Sequence, residues 1–263
     1  MKKMYLAASL LFAFVPALSA AQTAFDGTWK TDPNKVTFST KPIVLSFKDG
    51  MYDCKSCVYK TVVKTDGTDQ KIEGNPYTDT LAVKIVDKNT VESVSKKGGK
   101  EVGWSKRVVS ADGNSMTVEY KNTSPNNGEV TTGKTLFKRV DTDPAGTNAA
   151  SGSWLTAKIE SRSDNAMKVT YKTAGDTLNM STVGGQSYSA KMDGSDAPMK
   201  GNAGVTTVSV KMVGKNVLEE VDKRDGKVVS ASKMTIDASG KTAKVDWENK
   251  LANTTGSYVM VKQ

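Results

Sequence analysis

Residues 64–122 read KTDGTDQKIEGNPYTDTLAVKIVDKNTVESVSKKGGKEVGWSKRVVSADGNSMTVEYKN, and residues 191–249 read KMDGSDAPMKGNAGVTTVSVKMVGKNVLEEVDKRDGKVVSASKMTIDASGKTAKVDWEN. The two stretches align at an offset of 127 with no gap, and 24 of the 59 positions are identical. Register held over that length marks a duplication. Working outward, Gly27-Thr28-Trp29 recurs as Gly152-Ser153-Trp154, and residues 133–140 answer residues 256–263 at a smaller offset. Copy one therefore carries a short insertion, placed within residues 124–129. Between the copies, residues 141–151 read DTDPAGTNAAS, the composition of a linker. Copy one spans residues 22–142 and copy two residues 150–263.

Within each copy the apolar period is two. Leu81, Val83 and Ile85 share one face, as do Val208, Val210 and Met212. Met116, Val118 and Tyr120 alternate with Thr117, Glu119 and Lys121, and the second copy repeats this with Ala243, Val245 and Trp247. That is the pattern of half-buried strands. Turn pairs such as Asp49-Gly50, Asp66-Gly67, Gly98-Gly99, Asp112-Gly113 and Asp225-Gly226 punctuate them, since Asp and Gly accept the positive φ of tight hairpins. No helix is expected. A meander of this length closes on itself to remove its edges. The expectation is all-β: two tandem antiparallel up-and-down barrels of about eight strands, each copy rolling up its own sheet.

Residues 1–21 read as a signal peptide: Lys2 and Lys3, an apolar run from Leu6 to Val15, Pro16, then small residues through Ala21. No later apolar run is long enough to span a bilayer as a helix. The chain is expected to be exported, to a periplasm first and to the outside as the alternative. The net charge of +9 comes from Lys, with Arg only at Arg107, Arg139, Arg162 and Arg224. A lysine-rich surface reads first as solubility; binding an anionic envelope surface, polymer or lipid is the alternative. No nucleic-acid motif is present. The sequence holds 0 His, which removes Ser-His-Asp and Cys-His mechanisms. No catalytic constellation, cofactor or metal site is expected.

A Gly-x-Trp on the first strand, a β meander and a basic residue on the last strand resemble the lipocalin or calycin pattern. The run from Asp66-Gly67 through Gly74-Asn75 and residues 96–100 to Asp112-Gly113 is similar to exported bacterial proteins of unassigned function with lipocalin-like domains. The resemblance implies that each Trp plugs the closed end of its barrel under a cation from the last strand. Arg139 (or Lys138) is the candidate partner of Trp29, and Lys262 that of Trp154.

Cys54-Lys55-Ser56-Cys57 is the one cysteine motif. It could be a redox pair, half a metal site or a closed disulfide. The flanks read as strands, no His follows and no further ligands are in sight, so a disulfide pinning a hairpin tip is expected. Tyr52, Trp104, Tyr120, Tyr171 and Trp247 are candidates to line a ligand cavity, with core packing as the alternative for each. The methionines of copy two read as core filler rather than a Cu(I) site. Glu219 and Glu220 read as solvated neighbours facing opposite ways, so they form no acid/base dyad. The functional expectation is a non-enzymatic binding or scaffold protein, holding an apolar small molecule if it holds one.

Overall fold

A computed structural model of the chain describes residues 23–143 and 148–263. Residues 1–21, expected to be a signal peptide, lie outside the described residues. Copy one forms β1 (Gly27–Thr37), β2 (Ile43–Lys48), β3 (Met51–Cys54), β4 (Val62–Lys64), β5 (Gln70–Lys71), β6 (Thr80–Ile85), β7 (Thr90–Lys97), β8 (Lys100–Val109), β9 (Ser115–Thr123) and β10 (Val130–Thr142). Copy two forms β11 (Gly152–Arg162), β12 (Lys168–Ala174), β13 (Thr177–Thr182), β14 (Ser187–Lys191), β15 (Asp193–Pro198), β16 (Thr207–Gly214), β17 (Val217–Arg224), β18 (Lys227–Ile236), β19 (Thr242–Asn249) and β20 (Thr254–Lys262). Among the described residues the only helical element is the 3-10 turn Asp164–Met167. Hairpin chemistry is as read: Asp49 and Gly50 have φ of 52° and 73°, and Asp225 and Gly226 of 52° and 79°.

The strands form two antiparallel sheets of ten strands each, not the eight expected. The added strands are short pieces such as β4 and β5, whose three and two residues are too few to show a period. Both sheets are nearly closed. Gly67 N–H donates to the Val83 carbonyl at 2.9 Å, tying the β4–β5 edge to β6. Ser187 and Lys200 exchange backbone hydrogen bonds of 3.0 and 2.8 Å, tying β14 to the β15 edge.

The sheets do not follow the two copies. One sheet runs β4-β3-β2-β11-β10-β9-β8-β7-β6-β5; the other runs β14-β13-β12-β1-β20-β19-β18-β17-β16-β15. The first strand of each copy therefore sits in the other copy's sheet. We call the first sheet barrel I, built from the continuous segment 43–162, and the second barrel II, built from both ends of the chain. The expectation that each copy closes its own sheet is corrected on this point. The physical reason is locality. The chain leaves β10, makes a nine-residue connection and returns as β11 in a hairpin register running from Thr142↔Gly152 to Gly133↔Arg162. That pairing closes the shorter loop, so it carries the smaller entropic cost. With the slot between β2 and β10 filled, β1 takes the equivalent slot between β12 and β20, pairing Trp29↔Lys262 and Gly27↔Tyr171.

Each barrel has its own apolar core. Barrel I buries Phe47, Val63, Val83, Val91, Met116 and Trp154. Barrel II buries Phe25, Trp29, Leu178, Val208, Val210 and Leu218. Three copy-two methionines, Met180, Met234 and Met260, are buried in the second core, as filler.

Candidate functional site

The closed ends come first. Trp29 and Trp154 are both 0% exposed. Their indole N–H groups donate to the carbonyls four residues earlier, Phe25 O at 2.7 Å and Ala150 O at 2.9 Å. Gly27 and Gly152 turn the chain at the same φ of 123°. The cations are exchanged relative to expectation. Arg139 covers Trp154 at 4.1 Å from its ring, and Lys262 Nζ lies 5.3 Å from the ring of Trp29. The strand exchange is the cause, because each Trp strand lies beside the last strand of the other copy's sheet. Arg139 also donates to the carbonyls of Ser151 at 2.8 Å, Ala149 at 2.6 Å and Gly113. Among the described residues the Lys262 ammonium donates only to the Ala24 carbonyl, at 3.1 Å. Beside Trp29, burial pushes the Asp26 carboxyl up, but hydrogen bonds from Thr173 N–H and from Thr23 outweigh it and hold the group below its usual range.

Cys54 and Cys57 are joined in a disulfide at the end of β3. The pair pins the turn leading to β4, as expected.

Inside the barrels the duplicated positions have diverged. In barrel I, Val91 pairs with Arg107, Ser93 with Ser105, and Ser95 with Gly103. Val91 is fully buried, so its cross-strand partner and the alternate residues share the inner face. At the offset of 127 the same positions in barrel II are Leu218 and Met234, Glu220 and Ser232, Asp222 and Ser230. One lumen thus carries a guanidinium among hydroxyls, and the other carries two carboxylates.

In barrel II, Tyr188 donates to Glu220 Oε2 at 2.6 Å and Ser230 donates to Asp222 Oδ2 at 2.6 Å. Asp222 Oδ1 is buried without a hydrogen-bond partner among the described residues. Burial, reinforced by the Asp222 charge, pushes Glu220 up to about 7. Burial likewise raises Asp222 against the Ser230 hydrogen bond. Burial and the nearby Glu220 raise Tyr171 and Tyr188 well above the phenol range and Tyr258 to about 12. The reading of Glu220 as solvated is corrected: it faces the lumen, whereas Glu219 lies 3.8 Å from Lys233 on the outer face. Alternation along β17 carries this signal, with Leu218, Glu220 and Asp222 on one side.

Of the cavity candidates, Tyr52 and Tyr120 line one cavity of about 180 Å³ in barrel I, together with Ser93, Ser105 and Arg107; Trp104 borders it from β8 but pairs with Val94 and Lys121 on the alternate face. The Tyr52 ring lies 4.9 Å from that of Phe47. Tyr120 stands opposite Gly133, and Trp247 opposite Gly256, each ring covering the glycine across the strand pair. Trp247 lines a groove of about 570 Å³ along β17–β20. Tyr171 packs against the barrel II core. The five aromatics therefore do not converge on one apolar chamber.

A larger concavity lies where the barrels meet. The insertion of copy one reaches across: Asn126 donates to the carbonyls of Gly184 at 3.1 Å and Gly201 at 2.8 Å, and Asn127 to that of Val183 at 2.8 Å. Tyr77 and Arg224 add contacts to Asn202 at 3.1 Å and Tyr59 at 2.8 Å. These bridges border a cleft of about 750 Å³ with Pro76, Tyr77, Val102 and Pro125 on one wall and Ala166 and Ala203 on the other. Ser95, Gly103 and Asn122 line both this cleft and the barrel I cavity, so the lumen opens into the cleft. All four arginines make defined contacts: Arg107 inside barrel I, Arg139 on the plug, Arg162 with the Tyr120 hydroxyl at 3.2 Å and Arg224 at the seam.

Fold and cavities together define an all-β scaffold of two nearly closed barrels, suited to a binding or structural role. No protein-family model, curated protein or solved structure matches the chain. No group of three or more metal-ligating side chains occurs among the described residues.

Proposed function

We propose that the chain is a non-enzymatic, exported binding or scaffold protein of lipocalin-like build, which takes an apolar-faced small molecule in the cleft between its barrels. The observation that supports this is the cleft itself: about 750 Å³, walled by side chains from both barrels. That size falls in the usual range for small-molecule sites, and junctions between domains are where such sites concentrate. The barrel I lumen, at about 180 Å³ with Arg107 and serines in its wall, is too small and polar for the apolar ligand first expected there. The lysine-surface alternative gains less support, because Lys134, Lys223 and Lys233 each stand within 4 Å of a carboxylate, at 3.5, 2.7 and 3.8 Å.

Native mass spectrometry of the protein purified from its host tests the reading. A bound small molecule should be present and should be lost from an Ala203→Trp variant, which fills the cleft. Consistently ligand-free protein that also excludes apolar dyes removes the reading. Fractionation of the host tests export. Insulin-reduction assays test the non-enzymatic reading of Cys54–Cys57, which predicts no turnover.

A further inference from the structure

We infer that the lumen of barrel I is an oxyanion-binding site in which Arg107 is the ligand-binding cation, reached through the inter-barrel cleft. The lumen has this character whether or not the cleft holds a ligand of its own.

Arg107 lies on the inner face of β8 and lines the cavity of about 180 Å³. None of the ion pairs among the described residues includes it. Among the described residues its only side-chain hydrogen bonds run from one terminal nitrogen to Ser93 Oγ at 3.4 Å and Ser105 Oγ at 3.3 Å. Charge-assisted bonds are normally about 2.7–2.9 Å, so these are weak ones. A guanidinium offers about five N–H donors in a planar fork that fits a carboxylate or phosphate edge. Here most of that fork has no protein acceptor. Ser93 and Ser105 are bonded to each other at 2.8 Å, which occupies one hydroxyl proton and leaves the other free to donate to a ligand. Arg107 is partly buried at the wall of this cavity, and a guanidinium fork with few acceptors there is positioned to take a charge-assisted pair of bonds from an anion.

The second copy provides the comparison. There Met234 stands in place of Arg107, and Glu220 in place of Ser93. The positive lumen therefore belongs to barrel I alone and is no requirement of the fold. Size sets the ligand class. At about 30 Å³ per water, the cavity of about 180 Å³ holds about six water volumes, room for one carboxylate or phosphate group with part of its hydration. Leu81 and the Tyr52 ring give it one apolar wall, and Asn122 gives a polar rim at the mouth. Two sources share this chemistry: a free small oxyanion, or the anionic head of a longer molecule whose body lies in the cleft.

The test is a thermal-shift and calorimetric titration of the full chain with acetate, inorganic phosphate and octanoate at constant ionic strength. The wild type should show saturable binding to at least one of the three. Arg107→Met should weaken it at least tenfold. A response to acetate or phosphate identifies a free oxyanion, and a response to octanoate alone identifies a head group. Ser93→Glu places at barrel I the carboxylate that barrel II carries. It should raise the melting temperature of the anion-free chain and abolish the response. Titration of the Arg107 side-chain N–H resonances in the wild type gives a readout that needs no variant to fold. Absence of binding by all three probes, or Arg107→Met and Ser93→Glu chains that respond like the wild type, overturns the inference.

Discussion

Tyr77 lies against Gly204, the residue that occupies its own position in the second copy, and donates a hydrogen bond to Asn202 Oδ1 at 3.1 Å. A side chain on Gly204 would overlap the Tyr77 hydroxyl. The two copies meet here at equivalent positions, and only one of them can carry the ring. Gly204→Ala should displace a half-exposed ring rather than break a core, losing a hydrogen bond worth about 0.5–1.5 kcal/mol. Urea unfolding should show a loss in that range, and ligand retention in the cleft should fall with it. An unchanged Tyr77 environment by NMR would contradict the contact.

The strand exchange predicts which cysteine pairs will cross-link. Lys30 and Val261 face each other across β1 and β20. Lys30→Cys with Val261→Cys should therefore form an intrachain bridge under mild oxidation. Lys138 occupies the place of Val261 in copy one and pairs instead with Leu155 of β11. Lys30→Cys with Lys138→Cys should stay reduced. The opposite outcome would mean that each copy keeps its own first strand.

The two plugs should differ in strength. Replacing either fully buried Trp by Ala should cost about 3–5 kcal/mol. The cations are not equivalent, since Arg139 makes three carbonyl bonds and a close ring contact while Lys262 makes one bond and a longer one. Arg139→Ala should cost about 2–4 kcal/mol, with carbonyls left unpaired, and Lys262→Ala about 1 kcal/mol. Denaturant unfolding of the four variants checks the order.

Barrel II should make stability depend on pH through Glu220. Its carboxyl ordinarily titrates near 4.5 and is held up to about 7 in the folded chain. Between those values the folded chain keeps the proton and the unfolded chain releases it. The Glu220 contribution is therefore full below pH 4.5, falls as the pH rises and is lost above 7. The span is at most about 3 kcal/mol. Asp222 titrates in the same direction. Glu220→Gln should flatten the dependence in that window. A wild-type stability that rises between pH 5 and 7, by urea unfolding, would contradict the placement of this carboxylate.

Much of this fold was legible because alternation is a local signal. Leu81, Val83 and Ile85, or Met116, Val118 and Tyr120, report their inner face without reference to a partner. The paired Gly-x-Trp motifs and the disulfide were legible for the same reason. The strand exchange was not, since β1 and β11 carry the same pattern and fit the same slot, so only the connections decide between them. Arg107 was missed because nothing local distinguishes it from the other cations of a lysine-rich chain. Setting position 107 against Met234, and position 93 against Glu220, is the comparison that marks them. The cleft was not legible, since its walls combine loop residues such as Tyr77 and Ala203 with strand residues such as Val102 and Lys168, far apart in sequence and bridged by Asn126 and Asn127 of a loop the second copy lacks.

Pairing of β1 with β20 imposes an order on biosynthesis. Of the described strands β1 leaves the ribosome first, yet its final neighbours lie at residues 168–174 and 254–262, so it is seated only after both have been made. Copy one meanwhile emerges with a vacant groove beside β10 that matches the waiting strand. Until β11 arrives, the nascent chain either holds β1 in that groove and must later evict it, or presents an unsatisfied edge to whatever chaperone escorts it.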